Sequence, residues 1–185
     1  ERNERNSTTA AASLTIPRAF LTFLARRRVH RPSIIPFRLP VTIGTAGAST
    51  LYAPVALTLP ELSQGQELKV YTAEQNGEYL TLTEVESVIP ANTGVILMGN
   101  EGTYNFTISD ETSAPVGQLT GTVATKANPN DGTIYTLQKS DGALVMKKYS
   151  GANLNGFKAY YEMPAESNVQ ALRLSFGETT GIDGV

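Results

Sequence analysis

Thr103-Tyr104-Asn105-Phe106-Thr107-Ile108-Ser109 alternates polar and apolar residues without a break. A pleated strand points successive side chains to opposite faces. This stretch therefore puts Tyr104, Phe106 and Ile108 on one side of a sheet and leaves Thr and Asn to water. Ala171-Leu172-Arg173-Leu174-Ser175-Phe176 repeats the pattern with Leu172, Leu174 and Phe176. Val95-Ile96-Leu97-Met98, bounded by Gly94 and Gly99, is apolar throughout, as a strand covered on both faces would be.

Outward from these stretches, short runs separated by turn residues continue over the whole sequence after Val41. Eleven strands are expected, near 41–45, 49–58, 67–72, 79–88, 94–98, 103–109, 116–123, 132–138, 143–149, 157–162 and 169–176. Asn76-Gly77 and Asp141-Gly142 each sit between two such runs and read as hairpin turns, because both residue types tolerate positive φ. No stretch keeps a helical period for ten residues. The expected fold class is all-β, a β-sandwich or two packed antiparallel sheets that bury the one-sided strands against each other.

A weak internal repeat points to two related halves, about 41–115 and 116–182. Val70-Tyr71-Thr72 recurs as Ile134-Tyr135-Thr136 at an offset of 64, Asn76-Gly77 as Asp141-Gly142, and Val95-Ile96-Leu97 as Ala159-Tyr160-Tyr161. Tyr104 to Ile108 then corresponds to Leu172 to Phe176. Two copies are too few for a solenoid.

Charge divides the chain near Pro40. Residues 1–40 hold eight arginines, no lysine and two acids, a net charge of +6, whereas 41–185 hold one arginine, six lysines and fifteen acids, a net charge of −8. We expect a basic, proline-containing leader over 1–40 and a β-sandwich module over 41–185, with Ile34-Ile35-Pro36-Phe37 able to lie along a sheet edge. The leader's apolar run, Ala19 to Ala25, is much too short for a membrane span and lacks the form of a secretory signal. Three readings stay open for it: an organellar transit peptide, a basic arm that binds an acidic partner, nucleic acid or lipid head groups, or poorly structured upstream sequence or a gene-calling artefact. The acidic body is not expected to bind nucleic acid.

The 185 residues contain no cysteine, no tryptophan and one histidine, His30. Disulfides, thiol nucleophiles and cysteine metal clusters are thereby excluded, and the body lacks the histidine of a serine or cysteine triad. No catalytic residue, cofactor or metal ligand is assigned. Glu84 and Glu86 are read as a solvated strand face rather than a hydrolytic pair, and Asn128-Pro129-Asn130-Asp131-Gly132 as a turn rather than a calcium loop. The Asn105-Phe106-Thr107 sequon lies inside an expected strand. All eight tyrosines lie in the body. Tyr149, Tyr160 and Tyr161 are the candidate exposed binding aromatics, since amphipathic rings stack on sugars and anchor protein partners. Tyr160 and Tyr161 are adjacent in one strand, so they face opposite sides.

The order Val41-Thr42-Ile43-Gly44, Ala48 to Pro54, Val70-Tyr71-Thr72, Leu80-Thr81-Leu82, Ile89 to Leu97 and Leu174-Ser175-Phe176-Gly177-Glu178-Thr179-Thr180-Gly181-Ile182 resembles a β-rich module of Bacteroidota. Such modules lie near the C-terminus of secreted and cell-surface proteins, where an ETTGI-like end leads into a sorting tail. The resemblance covers about 42–182 and implies export to the surface or medium as the C-terminal piece of a larger protein. We expect a non-catalytic module that presents, spaces or docks its parent. The alternative is a glycan- or protein-binding adhesion module, or a fimbrial-type subunit that pairs through exposed sheet edges.

Overall fold

The computed structural model describes residues 37–165 and 167–177. The leader up to Pro36, including Ile34 to Pro36, and the end Glu178 to Ile182 lie outside the described residues.

Fifteen strands and no helix make up the described residues. The first eight are β1 (Arg38–Ile43), β2 (Ala48–Ala53), β3 (Leu57–Thr58), β4 (Leu68–Asn76), β5 (Tyr79–Glu84), β6 (Val88–Ile89), β7 (Thr93–Gly99) and β8 (Gly102–Ile108). The other seven are β9 (Leu119–Thr122), β10 (Lys126–Ala127), β11 (Ile134–Ser140), β12 (Ala143–Lys148), β13 (Asn153–Leu154), β14 (Lys158–Glu162) and β15 (Ala171–Phe176). The all-β expectation therefore holds. The runs at 49–58 and 79–88 each break into two strands, and β10 and β13 have no counterpart among the eleven expected. Two-residue strands carry too little alternation to be recognised. β1 starts at Arg38, ahead of Val41, and Pro40 lies within it. A proline fits there because β1 is the outer strand of its sheet, where a missing N–H leaves no ladder bond unmade.

The strands form a four-stranded sheet ordered β1-β8-β3-β6, a two-stranded ribbon β10-β13 and a nine-stranded sheet ordered β2-β7-β4-β5-β15-β12-β11-β14-β9. All pairs in these sheets are antiparallel except β15 with β5, so the large sheet is mixed rather than purely antiparallel. The parallel pair arises because β15 inserts between two hairpins made far earlier in the chain. The large sheet also curls until its ends meet. Tyr52 N–H of β2 donates to Phe157 O beside β14 at 3.0 Å. Gly121 of β9 leaves no room for a Cβ, which would lie 2.4 Å from Tyr52 Cβ.

Read outward from β15, the large sheet has the same order in both directions: β5, β4, β7, β2 on one side and β12, β11, β14, β9 on the other. The short ribbons correspond as well, β3 with β6 and β10 with β13. The hairpin offset is 64, since Tyr71 pairs with Glu84 and Tyr135 with Lys148. In the next strand it is 65, because Tyr71 pairs with Ile96 and Tyr135 with Tyr161. The sequence match of Ile96 to Tyr160 is thus off by one, and a one-residue slip exchanges the faces of a strand. The first turn differs too. Asn76 pairs with Tyr79, so the loop is Gly77-Glu78 and only Gly77 has positive φ, 63°, whereas Asp141 and Gly142 both do, 51° and 84°.

Two cores result. Inside the curled sheet, Tyr71, Leu80, Ile96, Leu119, Tyr135, Met146, Tyr161 and Leu172 pack together. Outside its first half, Leu51, Val70, Val95 and Leu97 pack against Ile43, Leu57, Ile89, Tyr104 and Phe106 of the four-stranded sheet. This sandwiching is why Val95 to Met98 of β7 is an unbroken apolar run: Ile96 faces one core, Val95 and Leu97 the other. Burying each such side chain stabilises the fold by about 1.5–3 kcal/mol. Outside the second half the cover is thin. β8 has its positional counterpart in β15, which lies in the large sheet, and β1 has no counterpart. Only Ile134, Leu154 and Tyr160 form a buried cluster there.

Candidate functional site

The thin cover over the second half leaves a cavity of about 300 Å³ bounded by β2, β11, β14 and the β13 segment. Its origin lies in strand register. β14 pairs with β11 only at Ile134 and Tyr135, and beyond Tyr135 the two strands diverge. Thr136, Leu137, Gln138 and Lys139 form one wall of the slot between them, and Lys158, Ala159 and Tyr160 form the other.

The first half has the same divergence, but there it is filled. β4 and β7 pair from Leu68 to Tyr71 and then separate. The segment from Val116 to Leu119 enters the gap. Gln118 N–H donates to Ala73 O at 2.8 Å, and Gln75 N–H donates to Gln118 Oε1 at 2.7 Å. Val116 N–H donates to Thr93 Oγ1 at 3.2 Å. Gly94 permits the approach, for a Cβ on it would stand 2.7 Å from Leu119 O. Its counterpart in β14 is Ala159, which carries a Cβ. The counterparts of Gln118 and Leu119 are Ser49 and Thr50 of β2, which line the slot without pairing to β11. Serine is too short to reach the backbone as Gln118 does. The slot stays open for these two reasons.

Two cations stand in the lining and no carboxylate does. Lys158 Nζ donates to Ser49 Oγ at 2.7 Å, and desolvation holds its ammonium below the usual lysine range. Lys139 is exposed. Among the described residues the single ion pair is Lys69 with Glu84, at 3.1 Å, so neither slot lysine is neutralised.

The candidate aromatics divide. Tyr160 and Tyr161 do face opposite sides, but both are buried, at 4% and 6% exposure, which corrects the expectation that they are exposed. Tyr161 belongs to the inner core, and its hydroxyl donates to Gln75 Oε1 at 2.7 Å, tying β14 to β4. Burial raises its pKa. Tyr160 packs on the outer cluster because the β10–β13 ribbon lies over it, with Lys126 Nζ 5.5 Å from its ring centroid. Tyr149 is half-buried, packs on the same cluster and donates to Asn153 O at 2.9 Å. Tyr149 and Tyr160 both reach the slot, whereas Tyr161 does not.

The Asn128 to Gly132 loop uses its polar groups internally. Asn128 is buried, and its Nδ2 donates to Gly151 O at 2.8 Å and Asn130 Oδ1 at 3.0 Å, so an amide donor occupies the centre of the turn. Asp131 accepts from Thr133 Oγ1 at 2.6 Å and Thr133 N–H at 3.0 Å. No group of three acidic or histidine side chains suited to a metal occurs among the described residues, and no described helix is long and apolar enough to cross a membrane. Glu84 ends β5 in its bond to Lys69, while Glu86 lies beyond the strand.

Lys139, Lys158 and Ser49 carry no signal in the linear sequence. They become significant through comparison of the halves strand by strand, where Gly94 corresponds to Ala159 and Gln118 to Ser49. In comparisons with known proteins, no family model matches the chain, and no curated protein or solved structure matches it either.

Proposed function

We propose that this chain is a non-catalytic β-module of a larger secreted or cell-surface protein, and that it serves in docking or presentation. The supporting observation is the slot between β11 and β14. Its lining supplies ammonium groups, hydroxyls, amides and a free strand edge, which bind, but no carboxylate or imidazole for acid–base work. Shaving intact cells with protease tests the location: recovery of peptides from 37–177 is expected, and protection of the whole module until lysis would reject it.

A second reading, glycan adhesion, draws support from the half-buried Tyr149 at the slot. A glycan array separates the two. Saturable binding that Tyr149→Ala removes would favour adhesion, and an array without a bound glycan would leave docking.

A further inference from the structure

We propose that the slot between β11 and β14 takes up an extended, acidic peptide segment of another chain as an added strand on β11. The inference deepens the docking reading above and rests on it.

The fold contains a partial precedent, the segment Val116 to Leu119, which docks on β4 through one main-chain and one side-chain bond. Main-chain groups of an antiparallel strand point alternately to its two neighbours. Counting from the closing pair Ser140 with Ala143, Leu137 and Lys139 turn their N–H and C=O groups away from β12 and into the slot. The counterparts in β4 are Ala73 and Gln75, the two residues that bond Gln118. In the second half Leu137 O accepts no such bond and Lys139 N–H donates none among the described residues. A free strand edge inside a cleft is a template for strand addition, and the entering segment supplies both donors and acceptors.

Charge selects the occupant. Where Gln118 places an amide oxygen on Gln75 N–H, an equivalent side chain in the second slot would meet Lys139 N–H in a lining whose charged side chains are Lys139 and Lys158. A carboxylate there accepts from the same N–H and neutralises charge that nothing else in the lining offsets. The neighbouring residue should be small, as Gly117 is. A Cβ at that position would lie 3.1 Å from Ala73 O, and the corresponding main chain in the second slot is Leu137.

The test uses the full chain and an end-blocked hexapeptide, Pro-Val-Gly-Glu-Leu-Thr, which copies Pro115–Thr120 with Gln118→Glu. Fluorescence polarisation at low salt should show saturable binding below about 1 mM. Methylation of the glutamate amide nitrogen, which deletes the donor to Leu137 O, should weaken it by about tenfold or more. Lys139→Glu should weaken it similarly while improving binding of the same peptide with lysine in place of glutamate. Lys139 is exposed, so that variant tests the site without burdening the core. No saturable binding, or equal binding of the methylated peptide, overturns the proposal. So does indifference to Lys139→Glu, which would place the peptide elsewhere. These readouts are independent of where the protein resides, so failure of the surface assignment is distinguishable from failure of the slot.

Discussion

Asn92 and Phe157 hold the same backbone conformation at the same place in the two halves. Their φ angles are 57° and 59°, and each N–H crosses to the neighbouring strand, Asn92 to Ala53 O at 2.9 Å and Phe157 to Thr122 O at 2.6 Å. Asparagine enters the left-handed region at little cost, whereas a bulky aromatic residue there is strained by about 1–2 kcal/mol. Phe157 is 44% exposed, so its ring recovers only part of that through packing. Phe157→Asn should leave stability unchanged or raise it by up to about 1 kcal/mol. Urea unfolding measures this, and a clear loss would show that the ring is held by contacts of real value.

Gly94 supports the plug of the first slot. Gly94→Ala should destabilise the protein by about 1–3 kcal/mol, the scale of overpacking, because the nearest atoms are Leu119 main chain rather than a flexible side-chain end. The reverse change, Ala159→Gly, should be milder, since it removes one methyl group beside an open cavity. Equal effects from the two substitutions would contradict the asymmetry between the slots.

Asp131 supplies a pH dependence whose sign is determined by its partners. The Thr133 hydroxyl and main-chain N–H hold its carboxyl below the usual aspartate range. Its folded pKa is therefore lower than its unfolded value of about 3.9. The stabilisation is fully present above about pH 4 and is lost as pH falls through the folded value. Acid melts of the parent and Asp131→Asn should diverge below about pH 4, with the parent losing stability relative to the variant. Parallel profiles would show that the Thr133 bonds favour neither protonation state.

The start of the module can be set by truncation. Leu39 packs half-buried against the outer core, and Arg38 to Ile43 pair with Thr107 to Gly102 of β8. We propose that a chain of 37–185 melts with the full-length protein. One of 41–185, which loses half of β1, should be weaker by about 1–2 kcal/mol, the scale of one apolar side chain. Unfolding of the longer fragment would reject the proposed boundary.

Alternation in Thr103 to Ser109 and Ala171 to Phe176, together with the apolar run Val95 to Met98, carries enough local information to declare an all-β chain. Strand periodicity and turn chemistry are properties of neighbouring residues. Tyr71 and Tyr135 likewise reveal related hairpins by themselves. Strand order does not follow from such signals. β8 and β15 share an amphipathic pattern, yet one covers the outside of the large sheet and the other occupies its middle. That choice exposes the outer face of the second half. The slot then depends on a single methyl group at Ala159 and on the short reach of Ser49. Neither has meaning until the curled sheet brings β2 against β14. Local sequence determines which segments are strands and which face of each is apolar, whereas long-range packing alone decides which strands meet and where a gap remains.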